Sequence, residues 1–232
     1  MENANNDKNK THTLVISDFH LGSKVSRGED LIKFLNNFKF KKLILLGDIF
    51  ESLNFRKLTK SEWDLLSLIG DISKKSKVIW VAGNHDAGLT DFFTSLTDVK
   101  VYNVYKWKYQ NKKYLAIHGH QFDNFLVNNA VISFLANQVY KLIQLLDFDD
   151  KRISRSIKRK SKGWLRISKK VASRAIIYAR VMQVDYIFCG HTHKAMEDNR
   201  GDVHYYNCGC WTDVPATYIT LDKDAIEIHQ YL

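Results

Sequence analysis

Five short apolar runs in this chain each end by setting down acidic, amide or imidazole side chains within a few residues. Three of them, "HTLVISD" (12–18), "KKLILLGD" (41–48) and "VIWVAGN" (78–84), are aliphatic and β-branched without polar alternation. That is the pattern of strands covered on both faces. Between them lie "RGEDLIKFLNNF" (27–38) and "TKSEWDLLSLIGDIS" (59–73), with apolar residues at three and four spacing and a capping box in Thr59 and Glu62. The β-α-β-α-β order predicts a sheet that starts parallel. Further strands are expected at 100–109, 112–119, 184–191, 202–209, 216–222 and 225–232, with hairpin turns at "QNK" and "DKD". Too many strands for one sheet of ordinary width point to an α/β fold with two sheets, flanked by helices.

At 232 residues with 45% hydrophobic content, the chain suits one compact domain, 1–232. The stretch 124–182 interrupts the strand series and reads as a helical insertion or cap. Three cysteines, none in a CxxC pair, fit reduced thiols in a reducing compartment. No uncharged run reaches the roughly 18 residues a spanning helix needs, so the expectation is a cytoplasmic protein. The net charge of +10 is concentrated: residues 151–180 hold 12 of the 35 Lys and Arg and no acid. Such a block is a solvated face or a docking surface for an anionic partner.

The ends of the apolar runs read "SDFHLGS", "GDIFE", "GNHD", "HGHQFD" and "CGHTH", and six of the nine histidines fall in them. In open α/β sheets the crevice beyond the carboxyl ends of the strands binds ligands, so these groups are expected to converge. Carboxylate, amide oxygen and imidazole suit Mn²⁺, Fe, Zn²⁺ or Mg²⁺. One divalent ion takes about four to six ligands, fewer than the set Asp18, His20, Asp48, Asn84, His118, His191 and His193 offers. Two ions fit better than one, and such pairs clamp both oxygens of an in-line displacement at phosphorus.

In this order the five motifs resemble the calcineurin-like metallophosphoesterase superfamily, over residues 14–209. The resemblance implies two sheets flanked by helices. It also implies two divalent ions, Mn²⁺ first, with Fe, Zn²⁺ or Mg²⁺ as alternatives. Asp18, His20, Asp48 and His193 would hold one ion and Asp48, Asn84, His118 and His191 the other, with Asp48 bridging. His85 would face the substrate phosphate, and Asp86 would orient His85 or cap the following turn. His120, Asp123, Asn54 and Arg56 are candidates for supporting or substrate-contacting positions.

Within the superfamily, "GDIFES", "HGHQFD", the basic insertion before "CGHTHKA" and "YYNCGCWTD" are similar to the UDP-2,3-diacylglucosamine pyrophosphatase group of lipid A synthesis. Members cleave an acylated UDP-sugar to UMP and an acylated sugar phosphate at the membrane surface. Phe134, Leu135, Leu142 and Ile143 would then line an acyl cleft. Trp164 and Ile167 belong to an apolar stripe, with Ile153, Ile157, Val171 and Ala175, on a basic helix. That pattern suits an interfacial helix at the cytoplasmic face of the inner membrane, or an ordinary cap with its apolar face on the core. His85 and His120 stand where the best-known members have Arg and Asp, which leaves open generic phosphodiesterase or phosphatase chemistry on another phosphoester substrate. A nuclease or nucleic-acid-binding protein gripping phosphates through 151–180 is the third reading, weakened by few aromatics for base stacking.

Overall fold

The computed structural model describes residues 9–86, 88, 94, 97, 99–123, 162–223 and 225–232. Two sheets pack face to face. The first contains β1 (Lys10–Ile16), β2 (Lys39–Leu46), β3 (Lys77–Val81), β4 (Val101–Tyr102), β10 (Ala216–Leu221) and β11 (Ile226–Tyr231), in the order β11-β10-β1-β2-β3-β4. Its β1 to β4 portion is parallel, and β10 and β11 add antiparallel. The second sheet runs β5-β6-β7-β9-β8, from β5 (Tyr105–Tyr109), β6 (Lys112–Ala116), β7 (Tyr186–Cys189), β8 (Met196–Arg200) and β9 (Val203–Asn207).

Between the sheets, Val15, Ile44, Leu46, Ile79 and Val81 of the first meet Trp107, Tyr114, Ala116, Phe188 and Tyr206 of the second. Helices α1 (Gly28–Asn36) and α2 (Lys60–Ser73) cover the outer face of the first sheet through Leu31, Leu35, Leu65 and Ile69. Helix α3 (Lys162–Val181) covers the outer face of the second through Val171, Ala172, Ala175, Ile176 and Ala179. The layers are therefore α-β-β-α, as the apolar runs and the resemblance led one to expect. The Thr59–Glu62 capping box is present, with the Thr59 hydroxyl accepting from Glu62 N–H and the Glu62 carboxylate accepting from Thr59 N–H at 2.8 Å.

Two expectations need correcting, and a third point was open between two readings. The single strand expected at 100–109 is two strands in different sheets: β4 pairs with β3, and β5 with β6. The step at Asn103 and Val104 moves the chain between layers, which an unbroken alternation of aromatic and polar residues does not reveal. Strand β8, "MEDNR", was not foreseen, because it is a charged edge strand paired only with β9. Third, of the two readings open for the α3 stripe, the cap with its apolar face on the core is the one the described part follows. Val171 and Ala175 are fully buried, Ile167 packs against that cluster, and Trp164 is half-buried. The exposed face carries Arg166, Lys169, Lys170 and Arg180. Phe134, Leu135, Leu142 and Ile143, with Ile153 and Ile157, lie outside the described residues. Among the described residues, no helix is long and apolar enough to cross a membrane.

A charge under α3 tests this packing. Ala175→Glu places an unpaired carboxylate among Leu115, Ile187 and Tyr205 and should lower stability by about 3 kcal/mol or more, measured by urea denaturation. Unchanged stability would mean that this face of the helix is not packed on the sheet.

Candidate metal centre

Strands β1, β2 and β3 end side by side, and Asp18, Asp48 and Asn84 follow each by two or three residues. Strands β6 and β7 end at the same edge of the second sheet and hand over His118, then His191 and His193. The turns that carry these groups are sharp. Asp18, His20, Asp48, His191 and His193 all have positive φ, between 49° and 66°. Side chains with a Cβ take this conformation at a cost of about 1–3 kcal/mol each, so the surroundings must hold it. Space is equally constrained: a Cβ on Gly83 would collide with the backbone nitrogen and Oδ1 of Asp48, and one on Gly190 with Ser17 Oγ and Asp18 Oδ2.

Among the described residues, three groups of side chains lie close enough to share a cation: Asp18, His20 and His193; His20, Asp48 and His85; and Asp48, His118 and His191. Asp48 links them. Its Oδ2 is 3.3 Å from His118 Nε2 and 3.9 Å from His20 Nε2, while Oδ1 accepts the His85 N–H at 2.9 Å. Imidazole orientation is fixed from behind. His118 Nδ1–H donates to the Leu46 carbonyl at 2.9 Å, and His20 Nδ1–H to the Glu51 carboxylate at 3.1 Å, so each turns Nε2 inward. His20 Nε2 and His193 Nε2 sit 3.2 Å apart, and Asp18 Oδ1 is 3.1 Å from His193 Nε2.

Asn84 Oδ1 is buried with no hydrogen-bond partner, and Asp18 Oδ1 and His118 Nε2 are buried with His193 Nε2 and Asp48 Oδ2 facing them, at 3.1 and 3.3 Å. Buried acceptors left this way are costly. An oxygen-and-nitrogen donor set with orphaned acceptors fits one or more divalent cations, the ligand types that a cysteine-free site of this kind selects. With no cation bound, protons take that role. Burial works against a charged His118, but the Asp48 and Asp18 carboxylates outweigh it and push its pKa up to about 10. Burial likewise opposes ionisation of Asp48, and the imidazoles of His118, His20 and His85 overcome it, holding its pKa well below the usual range.

The remaining candidates separate. His85 is half-buried beside the cluster, and its Nδ1–H donates to the Glu51 carbonyl at 2.8 Å. Asp86 does not touch the His85 ring. It is 1% exposed and accepts N–H bonds from Ile49 and Gly83 at 3.0 and 2.9 Å, bracing the loops around Asp48, so a role in orienting His85 is set aside. Asp123 is buried, 3.2 Å from His191 Nε2. The His120 ring lies 5.5 Å from His118, its pKa pushed down to about 4 by burial and by the nearby imidazoles. Asn54 and Arg56 are exposed on a 3-10 turn and make no described contact with the cluster. Half-buried Trp164 donates its indole N–H to the Thr192 carbonyl of the site loop at 2.8 Å.

Sequence reasoning left out Glu51, whose carboxylate and carbonyl hold His20 and His85 together; a third acid three residues after Asp48 was the available signal. It also left out the role of 207–213. Asn207 donates to the Gly190 carbonyl at 2.6 Å, and the Trp211 N–H to the Asp18 carbonyl at 3.2 Å, so this segment braces two ligand loops.

Residues 11–195 match the family model described as calcineurin-like phosphoesterase, and the chain belongs to that family. Among solved structures, it is similar to Yfce, a phosphoesterase from E. coli, with 16% identity, 92% of this chain and 90% of that one covered, and TM-score 0.52. A novel archaeal phosphodiesterase is similar at 14% identity, covering 94% and 98%, with TM-score 0.50. Zinc-complexed Vps29 from Entamoeba histolytica shares 16% identity over 94% and 97%, with TM-score 0.47. No curated protein sequence matches the chain.

Cation binding should release protons. His118, raised from 6.5 to about 10, supports the cation-free fold fully below about pH 6.5 and loses that contribution as pH rises through about 10. Within that window a cation must displace its proton, so affinity should climb with pH. Titration calorimetry with Mn²⁺ at pH 7.5 in buffers of different ionisation enthalpy should give a slope of about one proton or more. A slope of zero would contradict a protonated His118.

Proposed function

We propose that the protein is a dinuclear-metal phosphoesterase that cleaves a phosphoanhydride, with UDP-2,3-diacylglucosamine as substrate and UMP and 2,3-diacylglucosamine 1-phosphate as products. One observation carries the phosphoesterase reading: the buried Asp48 carboxylate faces His20 and His118 at 3.9 and 3.3 Å, at the junction of the two ligand groups. Asp18, His20, Asp48 and His193 would hold one divalent ion, and Asp48, Asn84, His118 and His191 the other, Mn²⁺ being the first choice. Ions held there supply Lewis-acid stabilisation of charge on phosphoryl oxygens.

The chain's own groups do the rest. Glu51 anchors His20 and His85 from one residue, fixing both rings against the same loop. Because its Nδ1 proton is committed to a carbonyl, His85 gains or gives its second proton at Nε2. In the imidazolium form, Nε2–H can donate to a phosphoryl oxygen or protonate a departing oxygen. Asp86 keeps the His85 loop seated on Asp48.

The lipid substrate is supported by the resemblance of "GDIFES", "HGHQFD" and "YYNCGCWTD" and by the exposed cations Arg166, Lys169 and Lys170 on α3, which suit an anionic inner-membrane surface at 151–180. The second reading is a phosphodiesterase acting on another phosphoester, and His85 favours it: a proton donor helps an alkoxide leave more than it helps a phosphate leave.

Mn²⁺-dependent UMP release from UDP-2,3-diacylglucosamine in mixed micelles, with UDP-GlcNAc as control, separates the two. Acyl-dependent release that falls at least about 100-fold in Asp48→Ala is expected. Hydrolysis of a simple aryl phosphodiester without any UMP release would retain the phosphoesterase and discard the lipid.

Across aryl phosphodiesters of rising leaving-group pKa, His85→Ala should lose little rate with p-nitrophenolate and about 100-fold or more with poor leaving groups. An equal loss across the series would assign His85 to phosphate binding alone.

A further inference from the structure

The strands that end beside the candidate metal ligands begin in lysines. Lys10, Lys39, Lys77 and Lys112 open β1, β2, β3 and β6, so the end of the sandwich away from the centre has a basic rim. Just inside that rim, Lys42 turns inward. It stands two residues before Ile44, as Lys77 stands two before Ile79. Because side chains alternate along a strand, both lysines share the face of the first sheet that meets the second, and they are register partners on β2 and β3. Lys42 Nζ lies 5.0 Å from the Trp107 ring and 5.8 Å from the Tyr105 ring, and Lys77 Nζ lies 5.8 Å from that same Tyr105 ring. Lys77 is exposed, whereas Lys42 is only 9% exposed.

A lysine this buried is ordinarily paired with an acid. Among the described residues Lys42 has no such partner. The charge that acts on it is a second cation, and burial together with the repulsion from Lys77 pushes its pKa down to about 8. The positive field extends to β1, where burial and the Lys42 and Lys41 charges push His12 down. On that side Asp222 is already engaged, by the Thr11 hydroxyl and the His12 N–H at 2.8 and 2.7 Å. An unmet donor sits beside the ammonium: Trp107 Nε1 is buried without a hydrogen-bond partner, on the ring 5.0 Å from Lys42 Nζ. The aromatic faces attract the ammonium, but they give the indole N–H no acceptor.

We propose that Lys42, Lys77 and the Trp107 indole form a binding site for a small oxyanion of the phosphate class, separate from the metal centre. An oxyanion there would neutralise two cations that repel each other and accept protons from side chains of β2, β3 and β5, which belong to both sheets. Lys42 precedes Asp48 by six residues, roughly 20 Å of extended chain, so the anion would not be shared with the candidate metal ligands. The site stands whether or not the protein is a phosphoesterase.

The test is proton–nitrogen correlation NMR on the full chain prepared without divalent metal, following the indole N–H signals, with that of Trp107 assigned through Trp107→Phe. Inorganic phosphate should shift the Trp107 signal saturably, and chloride at equal ionic strength should not. Lys42→Met should abolish the shift. Its melting temperature without phosphate should match or exceed that of wild type, because it removes an unpaired buried charge and keeps the stem. Lys77→Met should weaken phosphate binding about tenfold, and Lys41→Met, an equal charge change on the opposite face of β2, should leave it intact. Methyl phosphate identifies the source: binding tighter than inorganic phosphate points to a phosphorylated metabolite and weaker binding to the free ion, and either sustains the site. A Trp107 signal that ignores phosphate, moves equally with chloride, or still moves in Lys42→Met would overturn the inference.

Discussion

The structure depends on one buried carboxylate. Asp48 sits at the end of a central strand of the first sheet, yet its nearest charged neighbour, His118, comes from the second. A carboxylate this buried is tolerable only when positive charge faces it, and here the charge is supplied across the interface between the two layers. The edge of the sandwich is thus fixed in register by electrostatics as well as by the apolar contacts of Val15, Ile44, Phe188 and Tyr206. A cation held there would compete with protons for the same position, coupling cation affinity to pH and cation binding to fold stability.

Backbone geometry is the second consequence. Turning five candidate ligand side chains into one small volume requires left-handed residues that are not glycine, and close approach requires glycine at positions 83 and 190. Neither feature would survive without support, and the support is visible as a ring of hydrogen bonds behind the ligands. Glu51 stands behind His20 and His85, Leu46 behind His118, Asp123 behind His191, and Asn207, Trp211 and Trp164 behind the loop carbonyls. Asp86 belongs to this ring, accepting the N–H groups of Ile49, Phe50 and Gly83.

Much of this was legible in the sequence because strands leave a strong periodic signal and the ligand motifs follow them directly. The two-sheet α/β fold, the capping box at Thr59 and the hairpin turn at Gln110 and Asn111, both at positive φ, could all be read that way. What stayed hidden was long-range. Nothing local distinguishes an apolar stripe that meets lipid from one that meets a sheet, so Trp164 and Ile167 could be placed on a membrane when they face the protein. The change of sheet at Asn103 and the polar edge strand β8 depend on partners far along the chain. Asp86 was read from its neighbour His85, whereas its partners are the amides of Ile49, Phe50 and Gly83.

The most direct test of a dinuclear centre bridged by Asp48 is a crystal structure grown with Mn²⁺ and examined by anomalous scattering. Two peaks about 3.5–4 Å apart, with Asp48 touching both and Asn84 Oδ1 touching the one beside His118, are expected. A single peak, or a pair without Asp48 between them, would contradict the account.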